Sequence, residues 1–438
     1  MSGGIILAAA ASHSGKTTLT LALLRHLRRG NRRVASAKAG PDYIDPAFHA
    51  AASGVPCLNL DAWAMRRETI AALVAALERM AEFVLCEGAM GLFDGAGSGG
   101  RGSTADLAAL TGWPVVLVVD VAGQSGSAAA LLRGFTSHRP DVPIAGVIFN
   151  RVGGPRHGAT LENSVRTVLP QLPILGHVPR HAELSLAERH LGLVQASEHP
   201  DLDRFLDGAA ELIEESLDIK ALLALARPSS LAAVAAAQPL KPLGQRVAVA
   251  RDVAFAFAYP ALLEGWRSVG AALQFFSPLA DEAPDATADA VYLPGGYPEL
   301  HAGALAGNGR FLDGLRAAAK RGATIYGECG GYMVMGNGLV DASGARHAMA
   351  GLLPLEASFA ERRRQLGYRS ARLTTAGPLG TAGATFRGHE FHYATILNEG
   401  GGTPLFAAAD ADGASIGSVG RVSGRVMGSF LHIVDRAD

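Results

Sequence analysis

Cysteine is scarce in this chain of 438 residues. Cys57, Cys86 and Cys329 are all it has, an odd number spread too widely for a disulfide framework, which points to a reducing cytoplasm. Charge is low as well. The 39 Lys and Arg against 40 Asp and Glu leave a formal net charge of -1, so there is no basic excess to gather nucleic acid or anionic lipid. Long apolar runs are missing too: "WPVVLVVDVAG" at 113–123 falls well short of the roughly 20 residues that span a bilayer. The N-terminal "GIILAAAA" follows no positive charge, and "SGKTT" stands where a signal-peptide cleavage site would be. A soluble, cytoplasmic protein with small-molecule partners is expected, and neither nucleic acid nor membrane is a partner. The hydrophobic fraction of 49% is globular, and the length favours two domains or three.

From Gly3 to about Leu225, short aliphatic runs alternate with Ala/Leu-rich helical stretches: "GIILAAA", "RVASAKAG", "EFVLCEGA", "PVVLVVDV", "IAGVIFNRV" and "PILGHVP". Strands separated by helix-length segments imply an α/β fold, a doubly wound, mostly parallel sheet with ligands at the carboxyl ends of its strands. Residues 226–245 mix Pro, Ser and small residues and are read as a linker. A second α/β alternation occupies 246–438, with "RVAVARD", "ALQFFSP", "AVYLPGG" and "ATIYGECGG", and ends in the shorter spacing of antiparallel strands. The expected domains are therefore 1–225 and 246–438.

The loop after the first strand carries the second half of the pattern G-x-x-x-x-G-K-[ST]. Ala10 stands where the first glycine belongs, followed through His13 by Ser14, Gly15, Lys16, Thr17 and Thr18. A glycine turn at a helix N-terminus aims backbone N–H groups at a polyphosphate. Lys16 reaches the outer phosphates and the Thr17 hydroxyl holds Mg²⁺. An ordinary helix start capped by Ser14 is the plain alternative. Two more strand-end loops supply hard oxygen ligands: "AKAGPDYIDP" with Lys38, Asp42 and Asp45, and "LCEGAMGLFDG" with Glu87 and Asp94. Asn150, ending "GVIFN", suits an adenine edge or a turn.

In the second half, "GECGG" at 327–331 follows an apolar run and opens a helical one. This is the cysteine form of a nucleophile elbow, with the helix N-terminus expected to lower the thiol pKa of Cys329. The glycine-rich "YLPGGYPEL" with Gly296, together with Gly330, can aim N–H groups at an oxyanion. His389, His392 and His432 are candidates for the base, and sequence order does not choose among them.

These motifs carry a resemblance along essentially the whole chain. Through "PGGYPE", "YGECGG" and "GSFLH" the C-terminal half resembles class I glutamine amidotransferase domains, and the N-terminal half resembles the dethiobiotin synthetase-like branch of P-loop proteins. Fused in this order, with "KAGPDYIDP", "CEGAMGLFDG" and "RGHEFHY", they resemble the cobyrinic acid a,c-diamide synthase family, including its hydrogenobyrinic acid-using form. The resemblance implies ATP, L-glutamine and a corrinoid acid as partners, with a homodimer admitted. It makes Cys329 the nucleophile and His432 its base, and Thr17, Asp42 and Glu87 the Mg²⁺ ligands. Lys16 becomes the phosphate-binding lysine, within a nucleotide set that also includes Lys38 and Asn150. Asp45 and the "MGLFDG" loop, with Met90 and Asp94, then face the corrin side chains. The usual triad glutamate two residues after the histidine is Val434 here. Two other readings stay open: an amidotransferase on another tetrapyrrole, such as a cobyric acid synthase or a nickel-sirohydrochlorin a,c-diamide synthase, and a partition-type ATPase switch. The "GECGG" elbow speaks against the switch.

Overall fold

A computed structural model describes residues 2–181, 188–189, 192–232 and 239–437. The chain divides into two compact units, Met1–Trp63 with Arg67–Ala237, and Ala64–Arg66 with Gln238–Asp438.

Strands buried on both faces, rich in Val, Ile and Leu, make the sheet of the first unit parallel. Its strands are β1 (Gly3–Ala9), β2 (Val34–Ala39), β3 (Leu58–Leu60), β4 (Phe83–Glu87), β5 (Val115–Asp120), β6 (Ile144–Val152) and β7 (Ile174–Pro179). They stand in the order β3-β2-β4-β1-β5-β6-β7, and every pairing is parallel. All six runs expected from the sequence are strands; the three-residue β3 is an addition. Because β4 inserts between β1 and β2, the register sets Leu7 and Lys38 on either side of Glu87. The carboxyl ends of three strands separated in sequence thus meet at one edge. Helix α1 (Lys16–Arg29) follows β1 and buries Leu19, Leu23 and Leu27, while α2 (Ile44–Ser53) follows β2.

The first part of the stretch read as a linker is bonded to this unit. Gly4 and Arg227 exchange backbone hydrogen bonds of 2.8 and 3.2 Å, and the Ser229 N–H donates to Glu78 Oε1 at 2.7 Å. Residues 233–238 of that stretch lie outside the described residues.

In the second unit one ten-stranded sheet changes character along its width. Ala272–Phe276, Arg246–Ala250, Ala290–Leu293, Thr324–Glu328 and Val426–Ser429 are neighbours in that order and pair in parallel. Beyond them Ser415–Ser423, Thr403–Asp410, Gln365–Leu373, Thr385–His392 and Leu431–Arg436 pair antiparallel, as the late spacing implied. Period-two alternation puts Ile325 into a core with Tyr332 and Met335 of the following helix, while Tyr326 joins Tyr292, Leu431 and Ile433 in another. Among the described residues no helix is long and apolar enough to cross a membrane.

Candidate functional site

At the carboxyl edge of the first sheet, Gly15 precedes α1 in the left-handed conformation, with φ +89. A Cβ there would stand 2.2 Å from Asn150 Nδ2. The Asn150 amide itself donates to the Ser14 carbonyl at 2.8 Å, and the Ser14 hydroxyl donates to the Ala11 carbonyl at 2.9 Å. Asn150 thus braces the loop from β6, and only glycine permits the approach. His13 also has positive φ and is exposed. Gly15, Thr18, Asn150 and Arg151 line a cavity of about 480 Å³ with Ala122 and Ile213, a pocket beside the start of α1 where a base could lodge.

Lys16 lies over the loop after β4. Its Nζ donates to the Met90 carbonyl at 2.6 Å and to that of Ala11 at 3.5 Å. Burial lowers its pKa, with Glu87, Asp45 and Asp94 acting against the shift. Met90 holds positive φ and its side chain is exposed, and Asp94 closes the turn by accepting the Gly91 N–H at 2.8 Å.

Thr17, Asp45, Lys38 and Glu87 meet beneath the loop. The Thr17 hydroxyl donates to Glu87 Oε1 at 2.6 Å and lies 3.5 Å from Asp45 Oδ2. Lys38 Nζ is 2.8 Å from the same Glu87 oxygen, 2.5 Å from Asp45 Oδ2 and 3.9 Å from Asp42 Oδ2. Burial alone would raise the Glu87 carboxyl; Lys38 and His49 reverse this and hold it well below the usual carboxylate range. His49 is the partner that the sequence reading missed. Its Nε2 lies 2.7 Å from Glu87 Oε2, and its Nδ1 is 3.4 Å from Cys57 Sγ. The available signal was the four-residue step from Asp45 to His49 along α2, which puts both on one helix face. Among the described residues no group of three or more His, Cys, Asp or Glu side chains is arranged to enclose a metal ion.

In the second unit Cys329 has φ 47 and ψ -104, between the strand Thr324–Glu328 and the helix Gly330–Met335, so the expected elbow is formed. Its thiol departs from expectation. Burial, reinforced by Glu299, pushes the pKa upward, and the Gly330 N–H opposes this too weakly. A helix of six residues ending at a buried sulfur has little dipole to set against desolvation. The Cys329 sulfur is therefore held as the thiol rather than the thiolate.

One of the candidate bases meets Cys329 at Gly295. A Cβ on this residue would lie 2.4 Å from His432 Cε1, 3.3 Å from His432 Nε2 and 3.4 Å from Cys329 Cβ. Imidazole and cysteine thus converge on the one spot that glycine leaves empty. Burial, then His389 and His392, push the pKa of His432 down and favour its neutral form. His389 stacks on His432 with ring centroids 4.8 Å apart and has its Nε2 2.9 Å from the Tyr259 hydroxyl. His392 lies against Phe430 and pairs with Glu390 at 2.9 Å. Of the three histidines, it is the His432 ring that stands with Cys329 beside Gly295. The Gly296 nitrogen lies 3.2 Å from where a Cβ of Gly330 would be, so the two glycines named for the oxyanion share one corner. Glu328, Tyr292 and Tyr326, which the sequence reading did not single out, complete the surroundings.

A P-loop unit and a cysteine–histidine elbow on one chain define an ATP-dependent glutamine amidotransferase, a ligase that forms C–N bonds. Family comparison agrees. Residues 5–194 match the CobQ/CobB/MinD/ParA nucleotide binding domain, and residues 246–438 match the CobB/CobQ-like glutamine amidotransferase domain. The chain is 55% identical to the hydrogenobyrinate a,c-diamide synthase of Brucella anthropi over 99% of its own length and 98% of that protein's. With the proteins of that name from Rhizobium meliloti and Rhodobacter capsulatus the identity is 54% and 52%, over 99% and 98% of this chain and 99% and 98% of theirs. The chain belongs to the hydrogenobyrinate a,c-diamide synthase family.

Proposed function

We propose that this protein converts the a and c acetate side chains of hydrogenobyrinate into amides, using ATP and glutamine, as a step of cobalamin biosynthesis. The relatives' shared name supports the a,c-diamide product and this corrinoid acid over the other tetrapyrroles. The division of labour proposed is a synthetase in 1–225, a linker in 226–245 and a glutaminase in 246–438. Three free cysteines suit a cytoplasmic setting.

A carboxylate does not accept ammonia until one oxygen is made a leaving group. The acetate oxygen attacks the γ-phosphorus of ATP, ADP departs, and an acyl phosphate remains. Lys16 neutralises charge on the transferring phosphoryl group while Gly15 and Ser14 cradle the chain of phosphates and Asn150 meets the base. Thr17, Asp42 and Glu87 are hard oxygen donors of the kind Mg²⁺ takes, and the ion, held there, would draw charge from the phosphates. Lys38 keeps the carboxylate of Glu87 ionised, and Asp45, Met90 and Asp94 line the side from which the corrin acetates approach.

In the other half-reaction His432 Nε2 takes the Cys329 proton as sulfur attacks the glutamine amide carbon, and the oxyanion is received by the Gly296 and Gly330 N–H groups. His432 returns the proton to the leaving ammonia, and water hydrolyses the thioester to glutamate. Ammonia then displaces phosphate from the acyl phosphate. The convergence of His432 and Cys329 on Gly295 carries this reading. It is tested by incubating the protein with ATP, glutamine and either hydrogenobyrinate or cobyrinate and weighing the products. Two successive acid-to-amide conversions of hydrogenobyrinate are expected. Cys329→Ala should abolish the reaction with glutamine and spare that with free ammonia; equal loss with both nitrogen sources would contradict the division of labour.

A further inference from the structure

Two residues beyond His432 on the same strand, where a triad would place an acid, the chain has Val434. A carboxyl group nevertheless reaches the ring from a different element. Glu328, the residue before the elbow, is 1% exposed. The Tyr292 hydroxyl donates to its Oε2 at 2.8 Å, and the Tyr326 hydroxyl and the Ile433 N–H donate to its Oε1, each at 3.0 Å. Oε2 is 3.9 Å from His432 Nδ1, and the same ring stands with Cys329 Cβ about Gly295.

A buried carboxyl is costly unless its interactions are specific, and here three donors fix its orientation from two tyrosines and one backbone amide. The amide belongs to Ile433, so the group is tied to the backbone next to the histidine it faces. We propose that Glu328 is the missing third member of the glutaminase site: a positioning residue that accepts the Nδ1–H of His432, sets its tautomer, and stabilises the imidazolium formed when Nε2 takes the Cys329 proton. The proposal rests on the Cys329–His432 reading above. The present 3.9 Å separation exceeds a hydrogen bond, and closing it takes a shift of about 1 Å, of the kind that tightens an apo site on substrate binding. No atoms are exchanged with Glu328; the proton travels only between Sγ, Nε2 and the leaving nitrogen.

The groups facing this pair come from several elements. Tyr292, Tyr326 and His432 face the carboxyl; His389, His392 and Cys329 surround His432; and Lys241 and Arg436 share a cavity of about 520 Å³ with Glu328. Burial lifts the Glu328 carboxyl to about 7, with its three donors pulling it back. Anionic Glu328 is thus present above neutrality and lost below it, so glutamine hydrolysis should fall on the acid side of a limb that belongs to the coupled pair.

The test uses the full chain with Glu328→Gln, and the double variant Tyr292→Phe/Tyr326→Phe, reading glutamine hydrolysis across pH and amidation with free ammonia. Glu328→Gln should lower kcat for glutamine by about a hundredfold or more with little change in KM, and erase the acid limb. The double variant removes two donors to the charged form and should move the limb to higher pH. A Glu328→Gln protein within about threefold of wild-type kcat overturns the proposal, as does a loss shared equally by the ammonia reaction. Should Glu328→Gln not fold, an unmoved limb in the double variant overturns it. Glutaminase activity that survives Cys329→Ala removes the dyad reading itself. Activity lost there but kept in Glu328→Gln removes only the role of Glu328.

Discussion

Lys38 and Glu87, neighbours in register on β2 and β4, form an ion pair of 2.8 Å with side chains only 5% and 1% exposed. With so little water the pair is held by geometry, and the second Glu87 oxygen is taken by His49. Replacing Lys38 by Met leaves Glu87, Asp45 and Asp42 without their shared cation. Loss of one partner of such a buried pair costs about 3 kcal/mol or more. We expect Lys38→Met to lower the urea midpoint markedly. An unchanged midpoint would mean that the Lys38 cation contributes nothing net to holding this cluster.

The same cluster bears on the phosphoryl half-reaction. Thr17 and Lys38 both address Glu87 Oε1, so a cation drawn to that oxygen competes with Lys38 for it. Glu87→Gln keeps the shape and removes the charge. Amidation driven by ATP should then require far more Mg²⁺, or fall by roughly a hundredfold at saturation, on the scale of an electrostatic group lost from a phosphoryl-transfer site. Titrating Mg²⁺ against the rate with free ammonia as nitrogen source isolates this effect from the glutaminase. A wild-type titration curve would take Glu87 out of the metal shell.

Much of this architecture was legible in local pattern. Six strands of the first sheet announce themselves as apolar runs, and "GECGG" folds as the elbow its glycines suggested. β3 escaped because three residues have no period. The place of Lys38 escaped because it depends on β4 entering between β1 and β2, a long-range choice that no window along the chain contains. His49 and Glu328 were each visible as residues, but their partners, Glu87 and His432, are separated from them by 38 and 104 positions. The thiol expectation failed for a related reason: a helix start can be read from sequence, whereas the burial that outweighs it is a property of the packed unit.

Gly15 offers a test that separates loop conformation from chemistry. Its φ of +89 and the 2.2 Å approach to Asn150 Nδ2 both forbid a side chain. Gly15→Ala should weaken ATP binding at least tenfold by calorimetry, about 1.4 kcal/mol, since strain and collision add. An affinity within about twofold of wild type would mean that the loop absorbs the added methyl without disturbing the phosphate cradle.

His389 ties the stability of the second unit to pH. Burial lowers its pKa from the ordinary 6.5 to about 3, with Arg369 assisting and Glu390 opposing. In the unfolded chain it binds a proton near its ordinary value, so between those two pH values the unfolded state holds more protons. The stabilisation from a neutral, buried His389 is complete above the unfolded pKa and is lost as pH falls toward the folded one. His432, depressed for the same reason, acts in the same direction. The contribution of His389 is on the order of a few kcal/mol across this window. His389→Gln retains a partner for the Tyr259 hydroxyl but does not titrate. We expect urea denaturation to show a shallower loss of stability for this variant than for wild type between about pH 6.5 and pH 4. Equal slopes would mean that His389 carries the same charge in both states.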